Sequence, residues 1–267
     1  MEFIKSIILG IVEGITEWLP ISSTGHMILV NEFIKNDGFT NSDLYLYVIQ
    51  LGAILAVVTM FFKKLNPFAP SKSAQEKKDT WQMWFKVVLA CVPAAVIGLL
   101  FNDYMERIEN WQVVSAMLIV YGIAFIFTEK MQKNARISEM TQMTYKTALL
   151  IGAFQVLSII PGTSRSGATI LGAMLLGCSR GIAAEFSFFL AIPVMFGVSF
   201  LKIVTFDGAM TSTEVGVLLT GMIIAYIVSM LSIKFLMDYV GKHDFKAFGY
   251  YRIILGLLVI GYFMCMA

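Results

Sequence analysis

The chain has 267 residues, of which 58% are hydrophobic and 14% are charged. Soluble globular proteins contain about 45–50% apolar and about 25% charged residues, so this composition excludes an ordinary soluble domain. The formal net charge of +2 says little, because the distribution of Lys and Arg matters more than their sum. We expect no nucleic-acid partner. Apolar runs of about 18 residues or more recur along the whole chain and indicate an all-α, polytopic membrane protein.

The first apolar region, 3–35, is interrupted by the polar stretch "LPISSTGH". The region 146–180 is interrupted in the same way by "IPGTSRSG". The flanks of about 12–18 residues are short for a lipid-spanning helix. We therefore predict that each region is a re-entrant helical hairpin, whose non-helical loop is buried in protein or lines a cavity.

Six other segments are long and apolar enough to be predicted as clean transmembrane helices. They are 44–62, 81–101, 111–128, 182–206, 214–237 and 248–267. The three cysteines lie in apolar runs without CxxC spacing, which favours buried thiols over a disulfide or a zinc site.

The basic residues predict the orientation of these helices. The loops 63–80 and 129–146 and the segment 234–252 are rich in Lys and Arg, whereas 102–110 and 207–213 are poor. The positive-inside rule places the rich loops in the cytoplasm. The first hairpin then opens to the outer face and the second to the cytoplasm, so the two hairpins approach each other from opposite sides.

This arrangement predicts an inverted repeat within a single membrane domain, 1–267. With an offset of 142 residues, Ser22 aligns with Ser164 and Gly25 with Gly167. The first repeat would be 1–128 with the hairpin 3–35, and the second would be 129–267 with the hairpin 146–180. Inverted repeats with broken helices are typical of transporters, whose sites lie where the repeats meet.

Glu13 and Glu17 are four residues apart, which places them on one face of a helix. A solvated amphipathic helix is the alternative, but the flanking residues leave little polar face. Two carboxylates this close in an apolar medium repel each other unless a cation lies between them. We therefore predict that they form a divalent-metal site or an acid–base pair.

His26 follows the hydroxyl-rich loop Ser22, Ser23 and Thr24, with Gly25 between. A lone histidine is often structural, but this position suits a general acid or a general base.

The stretch "GTSRSG" places Arg165 between Ser164 and Ser166 inside the second hairpin, with Gly167 after them. An arginine at membrane depth needs an anion or a carboxylate as its partner. Backbone amides turning into a helix N-terminus also favour an anion. We expect this stretch to bind phosphate. The alternative is that Arg165 forms a structural salt bridge with a glutamate of the other hairpin, and both roles could be present together.

Gln50 and Glu185 are polar positions within predicted helices next to the hairpins. Each is a candidate for contacting and orienting the residues of the site. A hydrogen bond between helices, which is common in membrane bundles, is the alternative for each.

The segments "EGITEWLPISSTGH" and "PGTSRSGATI" resemble the two signature segments of the undecaprenyl-pyrophosphate phosphatase family, known for bacitracin resistance. The resemblance covers essentially the whole chain. It implies a multi-pass enzyme of the bacterial cytoplasmic (inner) membrane that removes the terminal phosphate of undecaprenyl diphosphate and so recycles the lipid carrier for peptidoglycan.

The resemblance also implies that the site consists of Glu13, Glu17, Ser23, His26 and Arg165, with a divalent cation, Mg or Ca. One departure concerns Gln142, where some relatives carry an acidic residue before "MTY".

Our working hypothesis makes Ser23 the nucleophile, activated by His26 or Glu17, with a periplasmic opening of the site. Glu13 and Glu17 would hold the metal. The residues expected to bind phosphate are Ser22, Thr24, Gly25, Ser164, Arg165, Ser166 and Gly167. Attack by metal-bound water is the competing mechanism.

Two other classes of function are weighed against this one. A transporter or flippase of a prenyl phosphate lipid agrees with the inverted repeat. A lipid phosphatase of the acid-phosphatase superfamily shares a "PSGH"-like motif, but no histidine follows "SRSG" at the expected spacing. The sequence leaves the choice between monomer and homodimer open.

Overall fold

The computed structural model describes residues 1–34, 38–108, 110–131 and 135–266. Within these ranges the fold is helical. The α-helices are, in chain order, α1 Glu2–Thr16, α2 Ser23–Phe33, α3 Asp43–Met60, α4 Phe62–Leu65, α5 Ala74–Arg107, α6 Trp111–Met131, α7 Tyr145–Val156, α8 Arg165–Leu175, α9 Arg180–Val204, α10 Ser212–Val240 and α11 Lys246–Met266.

Six of the described helices are long and apolar enough to cross a membrane, as predicted: α3, α5, α6, α9, α10 and α11. The main difference is that α5 begins at Ala74, about two turns before the predicted residue 81. Large apolar side chains remain exposed on these helices, for example Leu99 on α5 and Leu258 on α11, at 81% and 63%. Exposed apolar surface of this kind is suited to lipid.

The four helices that flank the two predicted loops are shorter. The helices α1 and α2 have 15 and 11 residues, and α7 and α8 have 12 and 11. We call residues 17–22, between α1 and α2, the first loop, and residues 157–164, between α7 and α8, the second loop. Both helix interruptions therefore occur where Pro20 and Pro161 and the neighbouring polar residues predicted them.

Close helix packing fixes the position of these short helices. A Cβ atom on Gly10 of α1 would lie 2.8 Å from the Gly221 carbonyl oxygen of α10, and one on Gly14 would lie 2.7 Å from Val228 Cβ. Gly152 of α7 meets the backbone of Ala90 on α5 in the same manner. Small residues allow such backbone approach in membrane proteins.

Two ion pairs hold the opposite ends of α9, one to α3 and one to the short helix α4 that follows α3. Asp43, at the start of α3, accepts a hydrogen bond from Lys202, near the end of α9, at 2.7 Å. Glu185, near the start of α9, accepts one from Lys64, just beyond the end of α3, at 2.7 Å. The helices α3 and α9 are therefore antiparallel. Asp43 and Glu185 are also 142 positions apart, the offset found in the sequence.

Candidate active site

The two loops end in the same unusual backbone conformation. Ser22 has φ 75° and ψ 99°, and Ser164 has φ 73° and ψ 123°. Positive φ values at non-glycine residues store roughly 1–3 kcal/mol of strain each and are concentrated at functional sites. Each serine caps the helix that follows it, because its Oγ accepts a hydrogen bond from the backbone N–H of Gly25 or Gly167, at 3.3 and 3.1 Å.

This shared turn places two helix N-termini beside the loops. Ser23 and Thr24 occupy the first turn of α2, and Arg165 and Ser166 occupy the first turn of α8. The first backbone N–H groups of a helix lack intrahelical partners and carry a partial positive charge, which favours phosphate.

The side chains of Glu17, Ser23 and Arg165 meet between the loops. The Ser23 hydroxyl donates to Glu17 Oε2 at 2.9 Å, and Arg165 Nη2 donates to Glu17 Oε1 at 2.8 Å. The Arg165 and Glu17 side chains are only 12% and 11% exposed. The Arg–Glu bridge weighed as an alternative therefore exists, and it holds the predicted nucleophile as well.

Other contacts fix Arg165 and the second loop. Arg165 Nη1 donates to the Ser187 carbonyl at 2.9 Å, and the guanidinium lies 5.8 Å from the centre of the Trp18 ring. The Ser166 hydroxyl donates to the Glu17 carbonyl at 3.1 Å, and Ser166 Oγ lies 3.1 Å from Ser164 Oγ. These bonds connect the first loop to the start of α8 and, through Ser166, to the end of the second loop.

His26 has a defined tautomer in this arrangement. Its Nδ1 lies 2.7 Å from the Ser22 carbonyl, which can only accept, so Nδ1 carries the proton. In the neutral ring, Nε2 then accepts a hydrogen bond from the Tyr251 hydroxyl at 2.7 Å. The residue that contacts Ser23 is consequently Glu17 rather than His26.

Glu13 lies one turn before Glu17 and is 2% exposed. Among the described residues, no hydrogen-bond partner reaches its Oε1 atom. A buried carboxylate oxygen without a partner fits a cation, because such a group is costly when unpaired. No group of three or more acidic, His or Cys side chains suited to a metal occurs in the described ranges. Mg²⁺ commonly binds to one or two carboxylates and completes its coordination with water and substrate phosphates, so the residues present fit this ion.

Glu185 and Gln142 have other partners. The Glu185 carboxylate accepts from Lys64, on the side of the basic loop 63–80, and is not part of the Glu17 group. Gln142 Oε1 accepts from the backbone N–H of Ser138 at 2.8 Å and takes part in a capping box with Glu139, which gives it a local structural role. Gln50 lies half-buried on α3.

Arg252 and Tyr251 belong to this region although the sequence did not single them out. Arg252, counted above with the basic segment 234–252, is fully buried, and its guanidinium bonds to backbone carbonyls of both loops. The available signal was an arginine inside an apolar helix, which is a functional-site hypothesis by default.

The described structure defines a multi-pass helical membrane protein in which two interrupted helices bring a carboxylate, a serine and an arginine together. Residues 6–258 match the family described as bacitracin resistance protein BacA. The chain belongs to this family, as its two signature segments indicated.

Curated relatives are similar over nearly the full length. An undecaprenyl-diphosphatase of Enterococcus faecalis is 60% identical, with 97% of each chain covered. Proteins of the same name from Lactiplantibacillus plantarum and Acetivibrio thermocellus are 56% and 58% identical; the alignments cover 98% and 99% of this chain and 98% of each relative.

Proposed function

We propose that this protein hydrolyses undecaprenyl diphosphate to undecaprenyl phosphate and inorganic phosphate in the bacterial cytoplasmic membrane. The reaction recycles the lipid carrier for peptidoglycan and other envelope polymers and confers resistance to bacitracin. Membership of the BacA family and relatives named undecaprenyl-diphosphatase support this function. The observation that carries it is the hydrogen bond of Ser23 to Glu17, which is itself bonded to Arg165.

In this proposal Ser23 Oγ attacks the terminal phosphorus while its proton moves to Glu17 Oε2. The bond between that phosphorus and the bridging oxygen breaks, undecaprenyl phosphate leaves, and a phosphoserine forms. Glu17 passes the serine proton through His26 to the leaving phosphate oxygen and is then a free base again. Water attacks the phosphoserine phosphorus, its proton moves to Glu17 and on to the departing Ser23 Oγ, and inorganic phosphate leaves. Direct attack by water on the substrate, with Ser23 only a ligand, is the competing mechanism.

Arg165 and the helix N-termini would bind the phosphate oxygens. A guanidinium has five N–H donors. Arg165 directs one to Glu17, one to Ser187 and a weaker one to the Met195 sulfur at 3.6 Å. The remaining donors, Nε–H and one hydrogen of Nη1, are proposed to reach phosphate oxygens. Ser22, Thr24, Gly25, Ser164, Ser166 and Gly167 line the turns around it. His26 Nε2 is unprotonated in the neutral ring, so His26 is assigned a relay: once the hydrogen bond from Tyr251 is broken, Nε2 takes the proton from Glu17 and passes it to the leaving oxygen.

Glu13 and Glu17 are the residues proposed to hold a divalent cation, Mg or Ca. The unpartnered Oε1 of Glu13 supports this assignment. When bound, the cation would neutralise charge on the phosphate oxygens.

The finer architecture is also a proposal: two re-entrant hairpins in inverted repeats 1–128 and 129–267, with the site open to the periplasm. The short helices, the paired turns at Ser22 and Ser164 and the ion pairs at both ends of α9 support the repeat. The distribution of basic loops supports the orientation. The prenyl chain would lie between the helices, in contact with lipid.

Phosphate release from undecaprenyl diphosphate by the purified protein in detergent tests the function. We expect release by the wild type, and near-background release by Glu17→Ala and Arg165→Ala. Detergent removes any transport component, so a wild type that releases no phosphate would favour the transporter or flippase instead. Undiminished release by both variants would overturn the site.

A further inference from the structure

Arg252 is the largest charged side chain at the centre of the fold that the proposed reaction does not use. It lies in α11 and is 0% exposed. Its Nη1 donates to the Pro20 carbonyl of the first loop at 3.2 Å. Its Nη2 donates to the Gly162 and Thr163 carbonyls of the second loop, both at 3.0 Å.

The charge of this guanidinium is not matched by an acid. Among the described residues, no carboxylate lies within ion-pair distance of Arg252; it contacts backbone carbonyls and the Tyr121 ring, whose centre is 5.4 Å away. A buried cation is costly unless it is paired or fully hydrogen-bonded. Arg252 is therefore held by backbone carbonyl oxygens, three of which belong to the two loops.

Arg252 is also bonded to the neighbouring helix α6. Its Nη2 and Nε also face the Met117 and Leu118 carbonyls of α6, at 3.4 and 3.5 Å. The helices α6 and α11 are in close contact, since a Cβ atom on Gly122 would lie 2.7 Å from the Gly249 carbonyl oxygen. Groups placed on such paired helices are positioned more accurately than groups on loops alone.

We propose that Arg252 is a positioning residue for phosphate transfer: its guanidinium joins the two loops and thereby sets Ser23 against Arg165. This inference rests on the proposed function. It assigns no contact of Arg252 with substrate; Arg252 acts through the first loop, which ends at Ser22, and the second, which ends at Ser164. The neighbouring Tyr251, through its bond to His26, connects the same turn of α11 to α2.

The first test compares Arg252→Lys and Arg252→Met with the wild type in phosphate release. Lysine keeps the charge but cannot span three carbonyls, because its donors share one nitrogen. Misplacement of reacting groups by about 1 Å can lower a rate about 100-fold, so we expect kcat to fall by about that factor in both variants, with KM changed less than about threefold.

Arg180→Lys is the matched control. The Arg180 guanidinium also makes several hydrogen bonds, with Nη2 2.6 Å from Glu129 Oε2, but none of them goes to either loop. We expect Arg180→Lys to lower Tm while kcat stays near the wild-type value. Retention of wild-type kcat by Arg252→Lys would overturn the positioning role, because charge alone would then suffice.

The second test does not depend on activity. Hydrogen exchange of the backbone amides should become faster in both loops of Arg252→Lys, and not in Arg180→Lys. Unchanged exchange in the loops, or equal acceleration in every helix, would contradict the inference. A wild type that releases no phosphate would defeat the proposed function, and the exchange data would still decide whether Arg252 joins the loops.

Discussion

Arg165 and Glu17 are separated by 148 positions in the sequence, yet Arg165 Nη2 lies 2.8 Å from Glu17 Oε1. The other oxygen of the same carboxylate accepts the Ser23 hydroxyl. One glutamate therefore orients both the predicted nucleophile and the predicted phosphate-binding arginine, and its two oxygens are used for different purposes.

Replacing Arg165 by lysine should lower kcat/KM strongly. Lysine retains the charge but lacks the planar guanidinium that donates to Glu17 and to Ser187 at the same time. A hydrogen bond to a charged group contributes about 1.5–3 kcal/mol. We expect a loss of at least about 10-fold in phosphate release, at an unchanged expression level. Lys64→Arg, a change at an exposed lysine in an ion pair remote from the loops, serves as the control. An Arg165→Lys enzyme as active as the control would contradict the arrangement described above.

Ser23→Ala distinguishes the serine mechanism from attack by water. The serine mechanism predicts activity near background, with an acid-stable phosphoserine trapped in wild-type protein by rapid quenching of labelled substrate. Ser229→Ala removes another buried hydroxyl, on α10, and should leave turnover unchanged. If Ser23→Ala remained active and no labelled phosphoserine could be trapped in the wild type, attack by water would be the mechanism.

Glu13→Gln should raise the concentration of Mg²⁺ or Ca²⁺ that gives half-maximal activity. The neutral amide cannot offset the charge of a cation held with Glu17, so weaker binding is expected. The measurement is phosphate release after treatment with a chelator, titrated with each metal chloride. Glu185→Gln is the control, because its carboxylate contacts Lys64 instead. Equal titration curves for the two variants would remove Glu13 from the metal site.

The same control carries a prediction about Glu185 itself. Its carboxylate is 9% exposed and bonds the 59% exposed Lys64, not Glu17, Ser23 or Arg165. We expect Glu185→Gln to change kcat/KM less than about twofold. A much larger loss of kcat/KM would show that Glu185 supports the site.

Ser164→Gly and Ser164→Ala should differ in stability. Both remove the hydroxyl that caps α8, but only glycine adopts the positive φ of this position without steric cost. The left-handed region costs other residues about 1–2 kcal/mol, so the alanine variant should be the less stable by about 1 kcal/mol. Thermal unfolding in detergent provides the comparison; an alanine variant with the higher Tm would rule out the strained turn.

The long helices and the positions of both loops could be predicted because length, apolarity and proline act locally along the chain. The meeting of Ser23 with Arg165 was suggested by opposed hairpins, but the bond of Ser23 to Glu17 depends on the local turn at Ser22. For Glu185 the sequence left a supporting role and a bond between helices open, and its partner Lys64 could not be named because that contact depends on packing. Arg252 was counted as a loop charge because it is only six residues into α11, where sequence alone does not separate a helix end from a buried turn.

The contacts of Arg252 also have a consequence for biogenesis. Both loops are synthesised well before α11, so a nascent chain can hold both of them while the guanidinium that bonds them has not yet been made. Until α11 inserts beside α6, the strained turns at Ser22 and Ser164 lack this common support. If Arg252 positions the loops as proposed, completion of the polar centre is coupled to the insertion of α11 beside α6.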